Sequence, residues 1–206
     1  MERHLYEEEA ETLIKILKKK DPFIALFCEI LYLTGRRTGE LLNLKKRSIR
    51  KINENEVQLN FYALKKRRRS RRGNPVFNLA PVIISRKKFD YWNSILKIYG
   101  AKEKRDYFFS RDIKKRENDI TIRQRYTRLL EKLHYENDLV RDVYTRPNLL
   151  FHIWRHSYAW RLKNEKGKSL EFICDALLHD DIKTTKKYYG HWYFDPRGRF
   201  IDVEII

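Results

Sequence analysis

Apolar residues recur every three or four positions through EEEAETLIKILKK (7–19), with the acidic residues at its start and the lysines at its end. That spacing predicts an amphipathic helix whose charges suit the helix dipole. Asp21-Pro22 then opens a second, almost wholly apolar helix running to about Leu33, and Gly35 ends it. A third helix begins near Thr38 and carries ELLNLKK. After it the period changes to two. EVQLNFYAL (56–64) and PVFNL (75–79) read as two strands joined by the long basic tip KKRRRSRRGN. Helical spacing returns at about 85–98, 121–135, 152–163, 169–178 and 182–189, with Thr121 and Ser169 as N-caps and Asp180 or Asp181 capping the last helix. The ending RFIDVEII alternates like a short final strand. No repeat and no Pro/Gly/Ser-rich linker divides the chain. The pattern therefore predicts one domain over residues 1–206, mostly α with a small antiparallel β-sheet, and a tail from 190 to 206.

Composition changes the picture in one respect. With 206 residues, 42% of them hydrophobic and 14% aromatic, the chain can bury one sizeable core. But 46 Lys and Arg against 28 Asp and Glu leave a net charge of +18, and that self-repulsion adds nothing to fold stability. A polyanion relieves it, because each neutralised phosphate also releases condensed counterions. A merely basic structural protein fits the composition equally well. The two cysteines, Cys28 and Cys174, fall in apolar helical stretches, so they read as buried thiols in a reducing compartment rather than a disulfide. No apolar run reaches the length of a membrane span, and MERHLYEEE has no signal-peptide core. A cytoplasmic, intracellular location is expected.

Four stretches carry candidate chemistry. Residues 65–72, KKRRRSRR, set seven cations in eight positions. Such a tip is either a solvated loop or a ribbon suited to a nucleic-acid backbone. In LTGRRTGELLNL (33–44), Arg36 and Arg37 stand at a helix N-terminal corner, where a guanidinium fork can meet a phosphate; taken alone, the stretch reads more simply as two surface arginines. In FHIWRHSYAW (151–160), His152 and His156 are four apart on one helix face, which invites a zinc reading. The glutamate of an HExxH motif is absent, Ile153 standing in its place, and no third ligand lies nearby, so no metal is assigned. His152 and Arg155 also share a face, pairing a proton acceptor with a permanent cation. Finally, ALLHDDIKTTKKYY (176–189) brings His179 ahead of a helix that ends in Tyr188 and Tyr189; a lone tyrosine is by default a packing residue.

In order, TGRRTGELLNL, a lysine-bearing hairpin, HIWRHSYA and LLHDDIKTTKKY resemble the catalytic domain of the tyrosine recombinases, the phage-integrase family, whose motifs are TGxRxxELLxL, a hairpin lysine, HxLRHxxA and LGHxxxxTTxxY. The resemblance runs from the first helix through Tyr188. It implies that Arg37, His152, Arg155 and His179 surround a phosphate, that Glu40 is a structural glutamate, and that Tyr188, nine residues after His179, is the nucleophile. Tyr189 lies about 100° further round the helix and is expected to pack. Lys65 is the implied general acid, with Lys66 as its alternative, and Arg67, Arg68, Arg69, Arg71 and Arg72 join Lys66 as DNA-binding residues. The implied partner is double-stranded DNA, on which the protein would assemble as a dimer or tetramer, with no metal or other cofactor. The tail 190–206 is either packed in cis or passed to a neighbouring subunit. Family members usually carry a core-binding domain ahead of the first arginine. Arg37 comes too early for one here, which suggests a minimal recombinase or a fragment of a larger one. Leu178 replaces the glycine of LGH, so the turn before the last helix is open to change. A topoisomerase IB-like nicking-closing enzyme would use the same residues. A catalytically silent DNA-binding module is the competing reading from another class.

Overall fold

The computed structural model describes residues 4–62, 68–69, 75–76, 79–145, 150–179 and 181–189. The chain begins with the predicted helix, α1 (Glu7–Lys20), with Glu7, Glu8 and Glu9 in its first turn and Lys18, Lys19 and Lys20 in its last. Glu9 reaches back to accept from the backbone N–H of Tyr6 at 2.8 Å, closing the N-terminus. α2 (Pro22–Thr34) is buried nearly all round and forms the centre of the core. Asp21 caps it, accepting from the Ile24 amide at 3.1 Å, and Gly35 ends it with φ of 64°. α1, α4 (Arg86–Ile98), α5 (Asp119–Leu133) and α7 (His152–Trp160) pack around α2, and their apolar faces meet Phe23, Phe27 and Leu31 among others.

Beyond the short α3 (Thr38–Leu42), the chain forms an antiparallel sheet in the order β1 (Ile49–Lys51), β2 (Glu56–Tyr62), β5 (Leu79–Ser85). In β2 the alternation read from sequence holds, with Val57, Leu59 and Phe61 buried. Its long partner is not 75–79. Pro75–Val76 (β4) pairs with Arg68–Arg69 (β3), whereas β5 runs beside β2 from Tyr62↔Leu79 to Glu56↔Ser85. Pro81 obscures β5 in the sequence; an edge strand tolerates proline because the missing N–H can face away from the ladder. β1, three residues long, has no periodic signal. Neither has α6 (Asp138–Tyr144), which Asn137 caps by accepting from the Val140 amide at 3.1 Å.

The cap of α5 is Asn118, which accepts from the Ile120 amide at 2.8 Å; Thr121 lies inside the helix. α7 ends at Trp160 and continues as a π-helical turn, Arg161–Glu165. Ser169 caps α8 (Leu170–Ala176) as expected, and Asp181 accepts from the Lys183 amide at 2.8 Å to open α9 (Ile182–Tyr189). α7, α8 and α9 share a second, small cluster of Ala159, Ile173, Leu177 and Tyr189, apart from the main core. Cys28 and Cys174 are both buried free thiols. Lys65, Lys66, Arg67, Arg71 and Arg72, the side chains of Arg68 and Arg69, Asp180 and the tail 190–206 lie outside the described residues.

Asp21 does two jobs: besides capping α2 it takes both donors of Arg125 on α5, at 2.5 and 2.8 Å. Asp21→Ala removes cap and ion pair together and should lower stability by about 2–3 kcal/mol in urea unfolding. Asp21→Asn keeps a capping oxygen and should cost roughly 1 kcal/mol less.

Candidate functional site

The site grows from the C-terminal ends of two helices. At the end of α2, the backbone turns through Gly35 in the left-handed region. A Cβ there would fall on the Tyr158 ring, so both φ and space demand glycine. The turn aims the Gly35 carbonyl at Arg155 of α7, whose Nη1 donates to it at 2.5 Å. Arg155 Nη2 donates at 2.5 Å to the Leu177 carbonyl just past α8. Arg155 is 4% exposed, and its guanidinium thus sits between the carbonyl ends of α2 and α8, where the helix dipoles favour a cation. Burial pushes its pKa down to about 9, and the Arg37 charge adds to that shift, while Glu40 opposes it.

Glu40 links this arginine to the next. Its fully buried carboxylate accepts from the Arg37 backbone N–H at 2.9 Å and from Arg37 Nη1 at 2.9 Å, and lies 4.0 Å from Arg155 Nη1. The sequence spacing explains the contact, because Arg37 is the N-cap of α3 and Glu40 occupies its third helical position. Arg37 keeps 22% of its side chain exposed, so one of the two guanidiniums faces outward while the other is fixed beneath. Arg36 is not a surface residue. It is 2% exposed, donates from Nε to the Thr34 carbonyl at 3.0 Å and from Nη2 to the Ala176 carbonyl, and lies over the Phe61 ring at 5.7 Å. Two arginines therefore bind successive carbonyls at the end of α8. No local signal announces this, since the burial depends on α8 packing back against Gly35.

A row of rings lies beside the arginines. His179 Nδ1 meets Thr185 Oγ1 at 2.8 Å, its ring parallel to Tyr189 with centroids 6.3 Å apart. Tyr189 is 1% exposed, and its hydroxyl lies 3.1 Å from His156 Nδ1. Burial raises its pKa to about 12 despite the nearby charges of Arg155 and Arg37. Tyr188 is half-buried, its ring centroid 6.1 Å from His156 and 6.3 Å from Tyr189. His156, which the sequence offers only as a possible metal ligand, is in fact the polar neighbour of both tyrosines. His152 is exposed at the first position of α7, one turn before Arg155.

The structure thus brings together Arg37, Arg155, Glu40, His179 and the tyrosine pair around α7, α8 and α9. Among the described residues, no group of His, Cys, Asp or Glu is arranged to hold a metal ion, and no helix is long and apolar enough to cross a membrane. The Leu178 backbone has φ of 53°, so the turn before α9 adopts the conformation that glycine favours, with a leucine in it.

The sequence matches the family described as the phage integrase family over residues 3–194. Among solved structures, the fold is similar to the XerH site-specific recombinase bound to difH substrate in a pre-cleavage complex. There the TM-score is 0.65 at 17% identity, covering 95% of this chain and 52% of that one. It is also similar to the Tn1549 transposon integrase in complex with transposon right end DNA, with a TM-score of 0.67, 14% identity, and 93% and 62% coverage. The catalytic domain of bacteriophage HP1 integrase gives 0.57, 19%, and 90% and 85%. At these identities the likeness is one of fold. The chain spans about half the length of XerH, at 52%. No curated protein matches it.

Two substitutions probe the arginine clasp. Glu40→Gln leaves two guanidiniums facing one another with no buried counter-charge and should cost about 3–5 kcal/mol in chemical unfolding. Gly35→Ala combines the left-handed penalty with the overlap on Tyr158 and should cost about 2–4 kcal/mol. A change below about 1 kcal/mol in either would show that the clasp is not held as described.

Proposed function

The chain belongs to the phage integrase family, and on that premise we propose that it cleaves and rejoins double-stranded DNA through a 3′-phosphotyrosyl intermediate. The observation that best supports this is the Arg37–Glu40–Arg155 arrangement, a cation pair fixed by a buried carboxylate before any substrate arrives. Preorganised donors of this kind stabilise charge as it develops on the non-bridging oxygens of a phosphodiester, at no reorganisation cost during the step.

In this reading, Tyr188 is the nucleophile. A phenol is a weak nucleophile until it is ionised, so a tyrosine that attacks phosphorus needs a base. His152 takes the phenolic proton, Tyr188 Oη bonds to phosphorus, and the P–O5′ bond breaks. The hairpin lysine, Lys65 or Lys66, protonates the departing 5′-oxygen. His179, oriented by its bond to Thr185, donates to the phosphate. Attack by another 5′-hydroxyl reverses the step on a new partner, and exchange between two strands in this reading calls for two or more copies on DNA. Tyr189 serves as the anchor of α9: its buried ring and its bond to His156 fix the helix that presents Tyr188. One observation favours a second reading, in which Tyr189 attacks, because Tyr189 lies within the field of Arg155 and Arg37. Its burial and raised pKa count against it, since the phenol would have to emerge and ionise.

Covalent trapping on a pool of nicked suicide DNA fragments decides between them. Wild type and Tyr189→Phe should leave protein on DNA after denaturation, while Tyr188→Phe should leave none. Failure of Tyr189→Phe alone transfers the nucleophile to Tyr189. No adduct from any form, with DNA binding intact, makes the protein a silent binding module. Relaxation of supercoiled plasmid without a defined site indicates a nicking-closing enzyme instead. Separately, neutralising Arg67, Arg68, Arg69, Arg71 and Arg72 together should weaken DNA binding and flatten its salt dependence, by roughly 0.9 in the log–log slope for each phosphate no longer neutralised. Unchanged binding would remove the hairpin tip from the DNA interface.

A further inference from the structure

A second basic site lies away from the arginine clasp. After α3 the chain runs through Lys45, Lys46 and Arg47 into a 3₁₀ turn and then β1. This segment is laced to residues 106–108: Lys46 N–H donates to the Asp106 carbonyl at 2.9 Å, Phe108 N–H donates to the Leu44 carbonyl at 2.8 Å, and Lys45 forms a bridge with Tyr107. Between the two segments is a cavity of about 280 Å³ lined by Lys45, Lys46, Arg47, Arg105 and Asp106. That volume equals roughly nine water molecules at ~30 Å³ each, enough for a hydrated phosphate group.

Four cations and one carboxylate line this cavity, and the four have different roles. Arg105 is 4% exposed and spends its fork on the fold, donating to the Phe108 carbonyl at 2.9 Å, the Lys102 carbonyl at 3.0 Å and Asn93 Oδ1 at 3.2 Å. Its charge is therefore a fixed part of the wall. Lys46 Nζ is held at 2.5 Å by the Glu103 carbonyl, and Lys45 Nζ lies 5.5 Å from the centre of the Tyr107 ring. Arg47 is exposed and makes no hydrogen bond or ion pair among the described residues. Partial burial pushes the Lys46 pKa down, and the neighbouring Arg105 charge adds to it, while Glu103 opposes the shift.

We infer that this cavity is an anion site that takes a backbone phosphate of the DNA other than the one at the bond that is cut. The choice of DNA rests on the function proposed above. Chain geometry supports it. The five residues of α3 rise about 1.5 Å each, and the four that follow span at most about 3.4 Å each. The cavity backbone therefore lies within roughly 21 Å of that of Arg37. Within that limit, one duplex can present the scissile phosphate to Arg37 and a second backbone phosphate to Lys45, Lys46 and Arg47. Two anchoring points on one helix fix its angle as well as its position, which a single phosphate clamp leaves free.

The test leaves Arg105 intact, because the loop depends on it, and replaces Lys45, Lys46 and Arg47 with Gln. Against wild type, the triple variant should bind duplex DNA at least about ten-fold more weakly at about 100 mM salt, with a log–log salt slope smaller by roughly 1–3. Arg47→Gln alone, which removes no bond within the fold, should lower the slope by roughly 1. Equal affinity and slope in wild type and both variants overturn the inference and leave the proposed function standing. If wild type binds no DNA, both fall. A titration of inorganic phosphate into DNA-free protein, followed by amide NMR, separates the sources of the anion. Saturable shifts at Lys46, Arg47 and Asp106 that vanish in the triple variant, together with weakened DNA binding, support a phosphate site filled by DNA. The same shifts with unweakened DNA binding assign the cavity to free phosphate and overturn the DNA assignment.

Discussion

The buried guanidinium of Arg155 is the contact on which the rest of the site depends. Taking such a charge out of water is expensive, and it is tolerated only where hydrogen bonds and opposite charge replace the hydration shell. Here the Gly35 and Leu177 carbonyls accept both of its arms and Glu40 lies 4.0 Å away. Each partner comes from a different part of the chain, so satisfying one side chain fixes the ends of α2 and α8, the start of α3, and the face of α7. Gly35 is needed because only a left-handed residue without a Cβ delivers its carbonyl there. Arg36 strengthens the same junction through the Ala176 carbonyl. A site whose geometry comes from the demands of one buried cation is already formed in the free protein.

Much of this is legible in the sequence because local chemistry determines it. The acid-to-base gradient of α1, the Asp21-Pro22 start and Gly35 stop of α2, and the Ser169 cap of α8 are all signals contained within a few residues, and each holds. Where local signals are weak or opposed by context, the pattern misleads. Pro81 hides the edge strand, Asn118 competes with Thr121 for the start of α5, and three-residue β1 and seven-residue α6 are too short for periodicity to register. The ordered motifs place Arg37, Arg155 and His179 near one another in space, though far apart along the chain. They do not report that Arg36 is buried, or that Glu103 and Arg105 organise a cavity beside Lys46. Those facts come from packing between distant segments, and no window of sequence contains them.

The likeness to solved recombinases at 14–19% identity is intelligible in the same terms. Most core positions are interchangeable among apolar residues of similar volume, so they drift freely while the fold persists. A change at a position that ties a helix end to buried charge costs more, because it strands a buried polar partner. His156 and Tyr189 show the intermediate case: a hydroxyl meeting a ring nitrogen inside a small cluster, a pairing that several side-chain combinations could provide.

The turn before α9 has a consequence beyond its shape. Leu178 occupies a backbone region that costs a side chain with a Cβ about 1–2 kcal/mol. Among the described residues, the hydrophobic cluster that seats α9 has four buried members and stands apart from the main core. A conformational energy of that size changes a population by roughly five- to thirty-fold. Relative to a glycine at the same place, the leucine therefore makes the turn that leads into α9 the costlier one to form, and the packing of Thr185 and Tyr189 has to offset that cost.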